Sequence, residues 1–174
     1  MLLEFKTMTD EEIDRLVRDI YPEGCVINAK WRYPDREDLS DAIEEEAKYF
    51  AKFLKESFFT KENNSYYVLD VEGEWVSALR LTKLDGFYYL EALETPPKQR
   101  KMGYGARVLK ETIEFLGKRG PVVIRDNVKK DNLASLATHR KCGFRIEREE
   151  AVNQLSGEVK SDCYGLIYVS NEEK

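Results

Sequence analysis

Residues 100–106 read RKMGYGA and place two glycines directly before a helix-like run. Gly103 and Gly105 permit positive φ angles and let a ligand approach the main chain closely. The amides of residues 102–106 would lie at the start of that helix, where backbone N–H groups have no partner within the helix. Together with the two basic residues that begin the segment, these amides could bind a diphosphate. The alternative is a tight turn without a ligand.

A dinucleotide site with the pattern GxGxxG is the nearest rival explanation of these glycines. Asp126 lies about 20 residues beyond Gly105, where an acidic residue would bind a ribose, but Val108 occupies the third glycine position. The order of elements also lacks the repeated strand–helix units of a dinucleotide-binding fold. A nicotinamide-dependent enzyme is therefore disfavoured, and a P-loop is excluded because no Gly-Lys pair is followed by Ser or Thr.

Hydrophobic periodicity and turn residues predict the elements that position this segment. Thr9 and Glu12 form a capping box for a first helix, and residues 35–57 show the apolar spacing of a second. Residues 21–34, between these helices, contain the turn-rich stretches YPEG and WRYP. Strands are predicted at residues 2–6, 65–71, 75–84, 87–93, 121–127, 144–152 and 163–169, and two further helices at residues 104–117 and 131–144.

The resulting order of elements is β, α, α, β, β, β, α, β, α, β, β. Short hairpin-like connections join the three consecutive strands, and a strand–helix–strand crossover surrounds the RKMGYGA segment. This order predicts an α+β fold with a mixed, mostly antiparallel central sheet of about seven strands. We expect helices on both faces of the sheet and one parallel pair of strands near its middle.

The composition of the chain favours a single domain over residues 1–174. A net charge of −5 argues against nucleic acid as a partner, and no apolar run is long enough to cross a membrane. The N-terminus has no secretory pattern, so we expect a cytoplasmic protein with disorder confined to residues 170–174. Three widely spaced cysteines and one histidine suggest neither a disulfide framework nor a metal site.

Residues 93–116, LETPPKQRKMGYGARVLKETIEFL, and residues 132–144, NLASLATHRKCGF, together resemble the GNAT superfamily of acyl-CoA-dependent N-acetyltransferases. The first segment fits the family pattern (R/Q)xxGx(G/A), and the second is similar to NxxAxxLYxKxGF. The matching positions are Arg100, Gly103, Gly105, Asn132, Lys141, Gly143 and Phe144. The resemblance implies a GNAT-like fold and acetyl-CoA as a co-substrate.

The resemblance also assigns coenzyme A contacts to individual residues. The pyrophosphate would be bound by the amides of Met102, Gly103, Tyr104, Gly105 and Ala106, with Arg100 and Lys101 supplying positive charge. Backbone groups of Leu93 and Thr95, at the end of the central strand, would pair with the pantetheine arm. Asn132 would contact the same arm from the second motif.

His139 occupies the position at which many family members have a tyrosine that protonates the leaving thiolate. Its unperturbed pKa of about 6.5 leaves a minority of imidazolium at neutral pH, and a nearby carboxylate would raise that fraction. We therefore expect His139 to be the catalytic acid, with a weaker role as a hydrogen-bond donor to sulfur as the alternative.

Glu91 is the first candidate for the base, because the residue twelve positions before the first motif glycine often faces the acceptor in this family. Glu94 is the second candidate, beside the predicted bulge of the strand. A cross-strand ion pair with Arg80 or Lys83 is the structural alternative for Glu91. Asn127, where some members carry a glutamate, cannot serve as a base.

The predicted activity is transfer of an acetyl group from acetyl-CoA to a primary amine by direct attack in a ternary complex. Cys142 is expected to pack in the core and not to carry an acyl group. The acidic net charge leans toward a cationic small-molecule or peptide amine, and a homodimer is compatible with the family. A non-catalytic module that binds acyl-CoA on the same fold is the alternative.

Overall fold

A seven-stranded sheet in the order β1-β2-β3-β4-β5-β9-β6 organises the computed structural model, which describes residues 1–170. Its strands are β1 (Leu2–Phe5), β2 (Asn64–Val71), β3 (Glu74–Leu84), β4 (Phe87–Glu94), β5 (Val123–Lys129), β6 (Arg145–Arg148) and β9 (Cys163–Val169), and a separate small sheet contains β7 (Ala151–Val152) and β8 (Val159–Lys160). The α-helices are α1 (Asp10–Asp19), α2 (Pro22–Arg32), α3 (Ser40–Phe53), α4 (Tyr104–Gly117) and α5 (Leu133–Lys141). The part of the predicted disorder that falls on residues 171–174 lies outside the described residues.

The central strand β4 pairs with β3 on one side and with β5 on the other. The β4–β5 pair is parallel, and the other neighbouring strands run antiparallel, as the sequence predicts. Within the described chain, β4 and β5 are paired at Tyr88 with Ile124 and at Tyr89 with Arg125. Beyond Tyr89 the two strands separate, and a wedge-shaped gap opens at the middle of the sheet.

A β-bulge near the end of β4 accompanies this separation. Arg80 lies opposite Glu91 and Ala78 lies opposite Glu94, so β4 advances by one residue more than β3 over this stretch. Ala92, within the bulge, has a φ of 54°, which is rare for a residue with a side chain. Bulges bend a strand and re-aim its side chains, and this one lies in the part of β4 that is no longer paired with β5.

Helices cover both faces of the sheet. Alternate residues of β2 therefore belong to two different cores. Tyr67 and Leu69 belong to one core with the apolar face of α4, whereas Tyr66 and Val68 belong to the other with α1. The predicted capping box is present at the start of α1, where Thr9 accepts from the amide of Glu12. The predicted fold class is therefore confirmed.

The helix α2 is absent from the sequence prediction, which treats residues 21–34 as turn-rich. Pro22 occupies the first helical turn, where its missing N–H costs no hydrogen bond. The helix buries only the small residues Cys25 and Ala29, so its apolar pattern is too weak to reveal it from periodicity.

The predicted strand 144–152 is also interrupted. It is divided into β6 and β7, and β7 forms a hairpin with β8 across the segment expected to be a loop. The Asn153 side chain accepts from the amides of Leu155 and Ser156, which stabilises the turn of this hairpin. No helix within residues 1–170 is both long and apolar enough to span a membrane.

Candidate active site

The segment before α4 forms a cradle of backbone amides. Gly103 precedes the helix with a φ of 82°, and Lys101 also has a positive φ of 64°. The first amides of a helix have no partner within it. In the described part of the chain, none of the hydrogen bonds between backbone groups outside regular elements is donated by an amide of residues 101–106. These donors are therefore free to bind an anion at the helix N-terminus.

Gly105 allows this cradle to pack closely against the end of β4. A Cβ atom on Gly105 would lie 3.2 Å from the Oγ1 atom of Thr95 and 3.9 Å from the Cγ2 atom of Thr138. The first distance is shorter than ordinary van der Waals contact. The two glycines therefore differ in what they allow. Gly103 adopts a left-handed backbone conformation, and Gly105 lets the cradle pack closely against Thr95.

A groove with a volume of about 770 Å³ runs from the amide cradle along the splayed end of β4 to α5. Nine of the ten residues predicted to bind the coenzyme line it, namely Leu93, Thr95, Arg100, Lys101, Gly103, Tyr104, Gly105, Ala106 and Asn132. The tenth, Met102, has a side chain that is 60% exposed. The groove thus brings the two sequence motifs together along one surface.

Asn132 has a structural task in addition to its place on the groove. Its Oδ1 atom accepts a hydrogen bond of 3.1 Å from the amide of Ser135 and caps the N-terminus of α5. The cap uses one of the two lone pairs of this oxygen, so the other lone pair and the two N–H groups of the carboxamide remain available to a ligand.

The segment Glu94–Thr95 is fixed by contacts with β3. The Oγ atom of Ser77 donates to the carbonyl of Glu94 at 2.8 Å and lies 2.9 Å from the Oγ1 atom of Thr95. Sequence reasoning missed Ser77, whose position opposite the bulge depends on the register of β3. This contact holds the end of β4 where it forms one wall of the groove.

Glu94 lines the groove and is the carboxylate whose electrostatic environment best suits proton transfer. Burial raises the pKa of Glu94 to about 7, while Arg100 opposes the increase and Glu23 adds to it. A carboxyl group with a pKa near neutrality can accept a proton at neutral pH and release it again.

Glu91, the first candidate for the base, forms the ion pair that was its structural alternative. Its Oε1 atom lies 3.7 Å from the Nη2 atom of Arg80 on the neighbouring strand. The guanidinium of Arg80 also lies over the rings of Phe53 and Phe58. Glu91 is not among the residues that line the groove.

His139 is buried, with 1% of its surface exposed. Its Nε2 atom lies 2.8 Å from the Oδ2 atom of Asp126 on β5, and its Nδ1 atom lies 2.8 Å from the carbonyl oxygen of Ser135. Burial by itself lowers the pKa of the imidazole, but Asp126 and the Ser135 carbonyl outweigh it and raise the pKa above its ordinary value. The carboxylate expected to support the imidazolium is therefore present, although His139 itself does not line the groove.

Glu23, on the unpredicted helix α2, is a further residue of the groove wall. Its carboxylate forms an ion pair with the guanidinium of Arg100. An acidic residue immediately after Pro22 is a typical sequence signal for the first turn of a helix, and that signal could have revealed α2.

Cys142 is buried, and its Sγ atom lies 3.5 Å from the carbonyl oxygen of Ala106. Burial raises the pKa of its thiol, so the thiolate form is disfavoured. Among residues 1–170, no cluster of three or more His, Cys, Asp or Glu side chains could hold a metal ion.

Comparison with known proteins relates this arrangement to one family. The model of the acetyltransferase (GNAT) family matches residues 25–144, a range that includes the cradle, both sequence motifs and every residue of the groove wall except Glu23. No relative was found among the curated proteins.

Many solved structures share the fold. The PaiA N-acetyltransferase from Thermoplasma acidophilum in complex with coenzyme A is 15% identical with a TM-score of 0.66, and the match covers 97% of this chain and 99% of that chain. An aminoglycoside acetyltransferase in complex with coenzyme A and kanamycin is 15% identical with a TM-score of 0.62, over 98% and 95% of the two chains. The ribosomal-protein-S18-alanine N-acetyltransferase from Escherichia coli is 16% identical with a TM-score of 0.57, over 97% and 94%.

Proposed function

The chain belongs to the GNAT acetyltransferase family, and on this basis we propose that it transfers the acetyl group of acetyl-CoA to a primary amine by direct attack in a ternary complex. The observation that carries this proposal is the groove in which the amide cradle, the splayed end of β4 and the Glu94 carboxyl group meet.

The cradle has the chemistry that coenzyme A requires. The free amides of residues 101–106 and the positive end of α4 suit the pyrophosphate, and Lys101 adds a cation at the same wall. The open edge of β4 beyond Tyr89 offers backbone groups to the pantetheine arm, as an added strand would. Leu93 and Thr95 are the residues of this edge that line the groove.

Glu94 is the base of the proposed reaction. The amine nitrogen forms a bond to the acetyl carbonyl carbon, the bond between that carbon and sulfur breaks, and Glu94 accepts the proton lost by the amine. Its pKa of about 7 matches this task better than the ordinary pKa of a glutamate, because the carboxylate must compete for the proton of an amine. Glu91 is less suited, since Arg80 pairs with its carboxylate.

His139 is the proposed source of the proton that the leaving thiolate takes. Asp126 favours the imidazolium form, which is the form able to donate a proton. The imidazole is buried and does not line the groove, whereas the neighbouring Thr138 on α5 does. Both ring nitrogens have other partners, Asp126 and the Ser135 carbonyl, so proton transfer to sulfur requires the imidazole to leave one of them and reach the groove directly or through a water.

Direct transfer agrees with the state of Cys142, the cysteine of the second sequence motif. Cys142 is buried with a raised pKa, and a protonated, inaccessible thiol is a poor nucleophile. A covalent acyl-enzyme at this residue is thus disfavoured.

We further propose a cationic acceptor. The chain carries a net charge of −5, and Glu23 and Glu94 place carboxyl groups on the groove wall. Structures that share the fold include an aminoglycoside acetyltransferase and a ribosomal-protein-alanine N-acetyltransferase, so both small molecules and protein N-termini belong in a screen of amines.

A non-catalytic module that binds acyl-CoA is the second candidate. The burial of His139 and the pairing of Glu91 with Arg80 favour it, since both remove candidate catalytic groups from the groove.

Turnover separates the two functions. The protein is incubated with acetyl-CoA and a panel of polyamines, aminoglycosides and peptides, while released thiol and acetylated product are measured. Product formed with at least one amine supports the enzyme. Coenzyme A binding without product on any acceptor supports the module.

A further inference from the structure

Arg100 links the amide cradle to helix α2 across the groove. Its Nη1 and Nη2 atoms donate to the two carboxylate oxygens of Glu23, and its Nε atom donates to the carbonyl of Thr95 at 3.0 Å. Arg100 and Glu23 both line the groove. The ion pair therefore closes a bridge between the α2 wall and the segment that binds the pyrophosphate in the proposed function.

The hydrogen bonds of Arg100 limit what else it can bind. All three guanidinium nitrogens have partners in this arrangement, and the two terminal nitrogens are occupied by the same carboxylate. A diphosphate bound to the amides of the cradle would lie next to Arg100, because the cradle follows Arg100 in the chain. Its oxygens could accept the same two parallel hydrogen bonds from the guanidinium as the carboxylate does. Each terminal nitrogen keeps one further N–H, but these two N–H groups point apart, so the guanidinium can bind a diphosphate through both terminal nitrogens in the bidentate geometry only after it has left Glu23.

The proposal rests on the proposed coenzyme A site. We infer that the Glu23–Arg100 ion pair is an autoinhibitory latch, which holds α2 against the cradle in the free protein and opens when the coenzyme diphosphate replaces Glu23 as the partner of Arg100. Opening frees the Glu23 carboxylate, which lies on the same groove wall as Glu94. The freed carboxylate can then bind a cationic amine, so the coenzyme binds before the amine.

Because both side chains of the ion pair are partly exposed, exchange of Glu23 for a diphosphate costs little free energy. The side chains of Arg100 and Glu23 are 46% and 37% exposed, and partly exposed ion pairs are weak because solvent screens them. A diphosphate carries more negative charge than one carboxylate, and the helix N-terminus stabilises it in addition. Loss of the latch should therefore improve coenzyme A affinity by about two- to fivefold.

Calorimetric titration with coenzyme A at low salt tests the latch in the wild type and in Glu23→Gln, Arg100→Gln and the double variant. Glu44→Gln is the matched control, because it removes an exposed carboxylate that is paired with Lys48 on α3, outside the groove. Melting temperatures establish that each variant is folded.

We expect Glu23→Gln to bind coenzyme A about two- to fivefold more tightly than the wild type and the Glu44→Gln control. Arg100→Gln should bind more weakly, and the double variant should bind like Arg100→Gln, because without Arg100 there is no latch to release.

Two results would overturn the latch while leaving the proposed function intact. One is a wild-type protein that binds coenzyme A with the same affinity as Glu23→Gln. The other is an equal gain in coenzyme A affinity when Glu23→Gln is introduced into the wild type and into the Arg100→Gln variant. A wild-type protein that binds no coenzyme A would overturn the proposed function and the latch together.

Discussion

The Nε2 atom of His139 lies 2.8 Å from the Oδ2 atom of Asp126, and both side chains are buried. This pair joins the second sequence motif, on α5, to the strand β5. For the proposed role of His139 as the acid, the carboxylate favours the imidazolium, because it raises the pKa of the imidazole above its ordinary value.

Because His139 is the single histidine of the chain, its imidazole signals can be followed by NMR without ambiguity. We expect a titration midpoint above the ordinary value of about 6.5 in the wild type and a lower midpoint in Asp126→Asn. Identical midpoints in the two proteins would show that Asp126 does not stabilise the imidazolium.

The same pair should make stability depend on pH. The folded-state pKa of His139 is raised, so its contribution is complete below the unfolded pKa of about 6.5 and is lost as the pH rises through the folded value. Asp126→Asn should therefore lower the free energy of unfolding by roughly 1 to 3 kcal/mol at pH 6 and by less at pH 9. Urea denaturation at the two pH values measures this difference, and an equal loss at both would contradict the linkage.

Glu94→Gln should lower kcat by about 100-fold to 10,000-fold with little change in coenzyme A affinity, because it removes the proton acceptor and not the cradle. In the wild type, kcat/KM should increase as the pH rises through about 7, since the deprotonated carboxylate is the active form. With the same amine the variant should lack the inflection near pH 7 and keep only the increase that comes from deprotonation of the amine itself.

Glu91→Gln is the control for Glu94→Gln, and it should retain most of its kcat. If Glu91→Gln loses activity while Glu94→Gln retains it, the base is Glu91 and the ion pair with Arg80 is part of the catalytic arrangement.

Replacement of His139 tests the proposed acid. His139→Ala should lower kcat while leaving the affinity for coenzyme A unchanged, and His139→Tyr should retain part of the rate because it restores the usual donor of the family. Stopped-flow or steady-state measurement of thiol release gives kcat, and circular dichroism confirms that the buried site still folds. If both variants transfer the acetyl group at the wild-type rate, His139 is not the acid.

Gly105→Ala should weaken coenzyme A binding by no more than about threefold, because its methyl group would lie 3.2 Å from the Thr95 hydroxyl, a contact that a small shift of that side chain relieves, and alanine also fits the family pattern at this position. Gly117→Ala on the same helix is the control: its Cβ would meet nothing within 4 Å. The control should gain up to about 1 kcal/mol of stability from helix propensity without any effect on binding. A larger loss of coenzyme A affinity in Gly105→Ala would show that the contact with Thr95 cannot relax.

The cradle and the fold class could be predicted because their signals are local. Glycine spacing before a helix indicates the turn of residues 100–106, and period-2 and period-3.6 patterns indicate most strands and helices. Helix α2 gave little periodic signal, since it buries only two small residues. It was therefore missed, together with Glu23.

The choice between Glu91 and Glu94 was not available from the sequence. It depends on a bulge at Ala92 and on the register of β3, which place Arg80 beside one glutamate and leave the other on the groove. The partner of His139 was equally hidden, because Asp126 lies on a different strand and approaches α5 only in the folded chain.

Acetyl transfer itself is the most direct test of the central claim. Wild-type protein and the Glu94→Gln variant are incubated with acetyl-CoA and the panel of primary amines, and mass spectrometry follows acetylated products. We expect the wild type to acetylate at least one cationic amine and Glu94→Gln, although it binds coenzyme A, to form that product at least about 100-fold more slowly. Coenzyme A binding by the wild type with no acetylated product from any amine would contradict the proposed activity.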